Sequence, residues 1–412
     1  MPVDLIAVQQ VGWFLCIRRK SMALRVLVSA GEVSGDQHLA RVVSALRRAQ
    51  PDCEVRGMAG RECAAAGAVL DIDCYRTGAA MGFSELVRSA RSLFSSYRVI
   101  RELVLSWKPH VVVLVDYPGF NLRLAKVAHQ SGAKVLYFIP PKVWAWRAGR
   151  VKVMRRFVDH VAAIFPFEVP FFRKHGFSSV SYVGHPLCEV APEVRPLEER
   201  PYRLLLMPGS RRFEVERLLP AMLKVFQRLR ADRPALAARV LVSPNMSREW
   251  LLRIASSAVT QETLSAVEFE SGNALAEAGL AQAAILKSGT CNLEGALAGV
   301  PFVSVYSGSR VSKVIVSALV PLTEYSPVNI IRPGTVQELM QVTIDVDALY
   351  AATSHVLDRG ERRDVVCAGL AEVRRQLLAT EGVDSSEAGH GACGKTVSER
   401  VAQLILECSG PR

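Results

Sequence analysis

The sequence has no Cys-x-x-Cys pair and no histidine cluster, so its nine scattered cysteines do not compose a zinc site. An odd, unpatterned set of thiols is not a secreted disulfide scaffold either. It reads as reduced, mostly buried cysteine in a cytosolic protein. Aromatic residues are scarce at 7% and charged residues amount to 22%, yet half of the chain is hydrophobic, which excludes a disordered or fibrous protein. Long apolar runs are also lacking. Val111–Val115 is strand-sized, and the N-terminal Val3–Ile17 stretch is broken by Asp4, Gln9, Gln10 and Gly12. Arg18, Arg19 and Lys20 follow that stretch, the reverse of a signal peptide, and a span needs about 20 apolar residues. The expectation is a protein that is soluble or at most rests on a membrane surface.

What is present is length and positive charge. A chain of 412 residues has room for two or three domains and needs no disulfide or metal to bury a core. The formal charge of +12 favours phosphate-bearing partners: nucleic acid, nucleotide or an anionic membrane. Short β-branched runs alternate with amphipathic stretches in two consecutive α/β halves, the pattern of parallel sheets covered by helices. Strands are expected at Arg25–Ser29, Val111–Val115, Lys134–Ile139 and His160–Phe165, then at Arg203–Met207, Arg239–Ser243, Ala283–Lys287 and Phe302–Tyr306. Residues 1–23 read as an extension outside the fold, with Met22 as the functional start. The expected division is a first domain at 24–190, a linker at 191–202, a second domain at 203–380, a flexible link at 381–396 and a helix at 397–412. Val336–Thr380 reads as helical.

Four strand-to-helix turns carry the candidate chemistry. Gly31-Glu32-Val33-Ser34-Gly35-Asp36 follows the first strand; its glycines admit a ligand to the backbone, and a helix start favours an anion. Its spacing is not the dinucleotide fingerprint, and a plain helix cap at Ser34 or Asp36 is the bland alternative. Asp116 follows Val111–Val115 directly, where a carboxylate projects into the crevice and can accept a proton from a sugar hydroxyl; otherwise it caps the next helix. Gly209-Ser210-Arg211 offers an arginine fork for a diphosphate, unless Arg211 merely pairs with Glu214 or Glu216. Ser288-Gly289-Thr290 suits a pyrophosphate, and Glu294 one turn later suits ribose hydroxyls, against a capping role for both. Asp71-Ile72-Asp73 and Asp345-Val346-Asp347 match a metal-binding pattern of some glycosyltransferases but read as solvated turn or helix-start residues. His185 reads as a hinge or packing residue.

Two basic, aromatic-bearing stretches remain. Lys142–Arg156 holds six basic residues and no acid, and Phe83–Trp107 mixes arginines with Leu93, Phe94 and Tyr97. Such segments suit an anionic membrane surface; no nucleic-acid module accompanies them, so nucleic acid is not expected as a partner.

Together these motifs, with Met81-Gly82-Phe83, Val143-Trp144-Ala145-Trp146-Arg147, Phe165-Pro166-Phe167-Glu168, Gly184-His185-Pro186 and Asn329, resemble the lipid-A-disaccharide synthase family from Leu24 to about Gln341. The resemblance implies an α/β fold of the GT-B type, two Rossmann-like doubly wound domains facing a cleft. It implies an inverting transfer from UDP-2,3-diacylglucosamine to 2,3-diacylglucosamine 1-phosphate, giving a β-1′,6-linked disaccharide and UDP, with no cofactor and no metal. Asp116 is the candidate base, with Glu32 or Asp36 next in line, and Gly209, Ser210, Arg211, Ser288, Gly289, Thr290, Glu294 and Asn329 are expected to bind the donor. Gly31, Glu32, Ser34, Gly35, Asp36 and Met81 bind the acceptor, and the enzyme works at the cytoplasmic face of the inner membrane. Two other classes fit the motifs: a different GT-B UDP-sugar enzyme, transferase or epimerase, or a non-catalytic nucleotide-sugar or membrane-binding relative.

Overall fold

A computed structural model describes residues 23–77, 83–145, 149–243, 246–307, 324–378 and 394–410. Its first sheet runs β1 (Arg25–Ala30), β2 (Glu54–Ala59), β3 (Val69–Asp73), β4 (Val111–Val115), β5 (Lys134–Phe138), β6 (His160–Ala163) and β7 (Val180–Tyr182). These strands lie in the order β3-β2-β1-β4-β5-β6-β7, with every pairing parallel. The second sheet holds β8 (Tyr202–Met207), β9 (Ala238–Val242), β10 (Val267–Ser271), β11 (Ala281–Lys287), β12 (Phe302–Ser307) and β13 (Glu338–Gln341). Its order is β10-β9-β8-β11-β12-β13, again all parallel.

The unbroken Val-Val-Val-Leu-Val of β4 shows why the sheet is covered twice. Val111, Val113 and Val115 pack with Leu39 and Val42 of the Val33–Ala49 helix and with Val401 and Ile405 near the chain end. Val112 and Leu114 turn to the other face, against Ile100, Phe120 and Leu124. A strand buried on both faces has no need of polar alternation, so its sequence is a continuous apolar run.

The strand order reverses twice, between β1 and β4 and between β8 and β11. Crevices open at the carboxyl ends of such strand pairs, because the connections leave to opposite faces of the sheet. All four motif turns stand at these two reversals. Gly31–Asp36 follows β1, Asp116 follows β4, Pro208–Arg211 follows β8 and Ser288–Thr290 follows β11.

Several expectations need correction. Val336–Thr380 is not wholly helical: β13 opens it, and two helices, Val346–Leu357 and Glu361–Leu378, follow. Asp71 and Asp73 lie in strand β3 and not in a turn; Asp71 pairs with Arg56, and Asp73 accepts from the Tyr75 amide at 2.9 Å. Asp345 does cap a helix start, accepting from Asp347 N at 2.9 Å. The terminal helix, Val397–Ser409, returns to the first sheet, where Arg400 donates to the Val183 carbonyl at 2.7 Å and Ser398 Oγ to Glu189 at 2.9 Å. Residues 1–22, Met81 and Gly82, and most of the glycine-rich link lie outside the described residues.

Candidate functional site

A cavity of about 660 Å³ opens where the two reversals face each other. Gly209, Ser210 and Arg211 line it from the turn after β8, and Gly289, Thr290 and Glu294 from the turn and helix after β11. Ser243, Gly272 and Ala274 close the side by β9 and β10, while Glu32 and Lys142 reach it from the first sheet. The turns of the second sheet thus share one space with Glu32 and Lys142 of the first, and Asp116 is not among the residues that line it.

Glu214 builds the floor. Its side chain is almost wholly buried, and its Oε2 accepts the amides of Ser210 at 3.1 Å and Arg211 at 3.3 Å. Its Oε1 lies 2.9 Å from Lys287 Nζ and 3.7 Å from Arg211 Nη1. The turn can approach this carboxylate only because residue 209 is glycine: φ is +119°, and a Cβ there would stand 2.4 Å from Glu214 Oε2. Arg211 is only loosely held, with its side chain 65% exposed, and stays free to fork onto a ligand.

Across the β11 turn, the Gly289 amide donates to Asn292 Oδ1 at 3.3 Å, which shapes the start of the Thr290–Leu297 helix. Ser288 donates its amide to the Val305 carbonyl at 2.7 Å and supports the turn from behind the cavity. Glu294 lines the cavity, and burial alone pushes its carboxyl up to about 7. A carboxyl desolvated without an ion-pair partner among the described residues is what a hydroxyl-bearing ligand would satisfy. Cys291 lies beside it with its thiol raised to about 12, foremost by burial, and behaves as an inert filler.

On the first sheet Asp116 occupies a strained position. Asp116 and Tyr117 have φ of +43° and +48°, a conformation unusual for two successive non-glycine residues. The Asp116 carbonyl is gripped by Tyr137 Oη at 2.7 Å and Asn121 Nδ2 at 2.8 Å, and Asn121 Oδ1 also accepts from Ser29 Oγ at 2.7 Å. This network turns the carboxyl outward. The Pro118–Gln130 helix has no side-chain cap, so Asp116 does not serve as one. Solvent reaches the Asp116 side chain, but the surrounding cleft strips water from the carboxyl and raises its pKa, and the Glu32 carboxylate adds to the rise, while Lys142 opposes it.

The acceptor motif divides. Glu32 and Ser34 are exposed at the start of the Val33–Ala49 helix, and Gly31 packs under Tyr117, whose Cδ1 would stand 2.4 Å from a Cβ there. Gly35 is buried. Asp36 is fully buried, and its carboxylate accepts amides of Gly60 at 2.7 Å, Glu62 at 3.1 Å and Cys63 at 3.2 Å. Asp36 therefore holds β1 and β2 loops together and presents nothing to the cavity. Asn329 likewise sits apart: it is buried, accepts from Val336 N at 2.9 Å and donates to Glu338 Oε1 at 2.8 Å. His185 packs on Phe165 with ring centroids 5.3 Å apart and accepts from Leu187 N, as a packing residue would.

Three groups at the cavity escaped the motif reading: Glu214 as an organiser, Lys287 and Lys142. Lys287 ends a strand whose apolar run hides it, and Lys142 sits within a basic stretch that suggested a surface. Among the described residues, no group of three His, Cys, Asp or Glu side chains is placed to hold a metal ion.

A model of the lipid-A-disaccharide synthetase family matches residues 26–381. The chain is 36% identical over 367 residues to the lipid-A-disaccharide synthase of Myxococcus xanthus, covering 86% of this chain and 94% of that one. It is 32% identical over 394 residues to the lipid-A-disaccharide synthase of Koribacter versatilis, covering 93% and 98%. Among solved structures it is similar to the kitacinnamycin glycotransferase, with a TM-score of 0.60, 14% identity and coverage of 94% and 100%. It is also similar to the Methanocaldococcus jannaschii UDP-GlcNAc 2-epimerase in complex with UDP-GlcNAc and UDP, with a TM-score of 0.55, 12% identity and coverage of 94% and 100%. At such identities the two structures speak for the fold alone, the GT-B arrangement of paired Rossmann-like sheets.

Proposed function

This chain belongs to the lipid-A-disaccharide synthetase family, and from that premise we propose that it joins UDP-2,3-diacylglucosamine to 2,3-diacylglucosamine 1-phosphate. The products are the β-1′,6-linked disaccharide 1-phosphate and UDP. One observation carries the reading. The glycine turns of the second sheet line the same cavity as Glu32 of the first, so a nucleotide sugar held on one wall meets an acceptor on the other.

In this reading residues 203–380 hold the donor and 24–190 the acceptor, with 191–202 connecting them and the Val397–Ser409 helix bracing the first half. Arg211 and the Gly209–Ser210 turn take the diphosphate, Gly289 and Thr290 add the helix start, and Glu294 accepts the ribose hydroxyls. Ser288 and Asn329 support those walls from behind. Gly31, Glu32, Ser34 and Gly35 border the acceptor, and Asp36 fixes their loop. An α-linked donor and a β-linked product require one in-line displacement. The acceptor 6-hydroxyl gives its proton to Asp116 as it attacks the anomeric carbon, and charge growing on the departing UDP is met by Arg211 and the helix start.

The enzyme would work at the cytoplasmic face of the inner membrane, a place that suits two acylated substrates. Support comes from the Phe83–Trp107 helix, which exposes Phe94 and Val99 beside Arg98 and Arg101. No helix among the described residues is long and apolar enough to cross a membrane. The test is direct: incubation with both diacyl sugars should yield disaccharide phosphate and UDP in equal amounts by mass spectrometry. Conversion of a UDP-sugar alone, without acceptor, would favour an epimerase instead.

A further inference from the structure

We propose that Lys142 is a phosphate-binding residue of the cleft, contributed by the first sheet to a substrate held partly on the second. The inference rests on the donor placement above and moves Lys142 from the membrane-facing basic stretch of the sequence reading into the cleft.

The loop that carries Lys142 is built to hold it still. Pro140 and Pro141 stiffen its start after β5, and Val143 N donates to the Pro141 carbonyl at 2.6 Å. Val143 is buried in the core, and Ala145 N donates to the Lys142 carbonyl at 3.1 Å. Trp144 Nε1 donates to Glu168 Oε1 at 3.1 Å, and its ring meets Phe167 edge-on at a centroid distance of 4.9 Å. Glu168 in turn is buried and accepts the Ile164 and Phe165 amides at 3.0 and 3.1 Å. The residues on both sides of Lys142 are therefore fixed, while its own side chain is exposed in the cavity.

Its charge acts on Asp116 and Glu168 only at a distance. Lys287 and Arg211 both face Glu214, at 2.9 and 3.7 Å, whereas among the described residues Lys142 has no carboxylate within ion-pair distance. A cation on a rigid loop, opposite a glycine turn and a helix start, faces the side of a bound phosphate that those groups leave open. A lysine ammonium suits that task as a point charge reaching in from across a gap. The phosphate is either the diphosphate of the donor or the phosphate of the acceptor.

The test compares Lys142→Ala and Lys142→Gln with Arg211→Ala, all first checked for an unchanged melting temperature. UDP and uridine affinities are measured by calorimetry at low and high salt. Turnover is measured with the acceptor 1-phosphate and with the same acceptor lacking phosphate. If Lys142 meets the diphosphate, both Lys142 variants bind UDP about tenfold more weakly, bind uridine normally, and the difference shrinks as salt rises. If it meets the acceptor phosphate, UDP affinity holds and the kcat/KM advantage of the phosphorylated acceptor disappears. Unchanged values in both arms, with Arg211→Ala still weakening UDP, would overturn the role of Lys142 alone. Unchanged UDP affinity in Arg211→Ala as well would overturn the donor placement and the inference with it.

Discussion

Lys287 Nζ stands 2.9 Å from Glu214 Oε1, so a salt bridge joins the end of β11 to the first turn of the Arg212–Asp232 helix that follows β8. The same carboxylate holds the Ser210 and Arg211 amides, which makes Glu214 the point where two strand ends and one ligand turn are tied together. Removing one partner of a buried pair leaves the other charge uncompensated. Glu214→Gln should therefore lower stability by roughly 3 kcal/mol and weaken UDP binding, read from urea melts and calorimetry. A loss below about 0.5 kcal/mol would put the pair in the class of surface bridges.

Gly209→Ala tests the same turn by shape. The new Cβ would meet Glu214 Oε2 at 2.4 Å at a φ of +119°, so the turn must move away from its anchor. Gly132 also has a positive φ, +89°, but nothing stands within 4 Å of its Cβ position. Gly132→Ala should cost about 1 kcal/mol of backbone strain and leave UDP binding intact. Gly209→Ala should abolish most UDP binding; equal effects of the two variants would mean that the close approach to Glu214 is unimportant.

The central strands were legible because burial on both faces writes itself as unbroken runs such as Val111–Val115. Strands at or next to a sheet edge were not. Glu54–Ala59, one strand in from the edge, and the edge strands Val69–Asp73 and Val267–Ser271 carry Glu, Arg, Asp or Gly, because part of each faces water, and they lack that signature. The positions of the four candidate turns were legible from glycine, hydroxyl and charge at strand ends. Which acidic group faces inward was not. Asp36 and Glu32 stand four residues apart in one glycine-rich turn, yet one is spent on three backbone amides and the other lines the cavity. That choice depends on where the β2 loop arrives, a long-range contact that no local pattern encodes. Lys142 and Lys287 were missed for the same reason.

Glu294 gives the protein a measurable pH response. Burial raises its carboxyl from 4.5 to about 7 in the folded chain, so the folded state holds this proton more tightly than the unfolded one. Its contribution to stability is present below the unfolded pKa and is lost as pH rises through about 7. Ligand-free wild type should thus lose stability between pH 5 and pH 8, and Glu294→Gln should lose less across that window. Glu168, also raised to about 7 chiefly by burial, keeps part of the slope in both proteins. Uridine affinity, free of any titrating phosphate, should run the other way. An ionised Glu294 accepts the ribose hydroxyls better, so wild type should bind uridine more tightly at about pH 8 than at about pH 6, and Glu294→Gln should show no such trend. A flat profile in wild type would remove Glu294 from the ribose.

In the proposed reaction Asp116 is the base, and its surroundings fix the sign of its pH dependence. Loss of water in the cleft and the Glu32 carboxylate raise its pKa, while Lys142 lowers it. A base works only when deprotonated, so kcat/KM should fall as pH drops below that raised value. Glu32→Gln removes a like charge and should move the acid limb to lower pH; Lys142→Ala removes the cation and should move it higher. Asp116→Asn keeps the size of the side chain and leaves intact the Tyr137 and Asn121 grip on the Asp116 carbonyl, so the turn and UDP binding should be preserved. It cannot take the acceptor proton, and turnover should fall by at least about 10²-fold. The two observations must come together. Lost turnover with lost UDP binding would indicate a collapsed cleft, and near-normal turnover would pass the role of base to Glu32, the first-sheet carboxylate that lines the cavity.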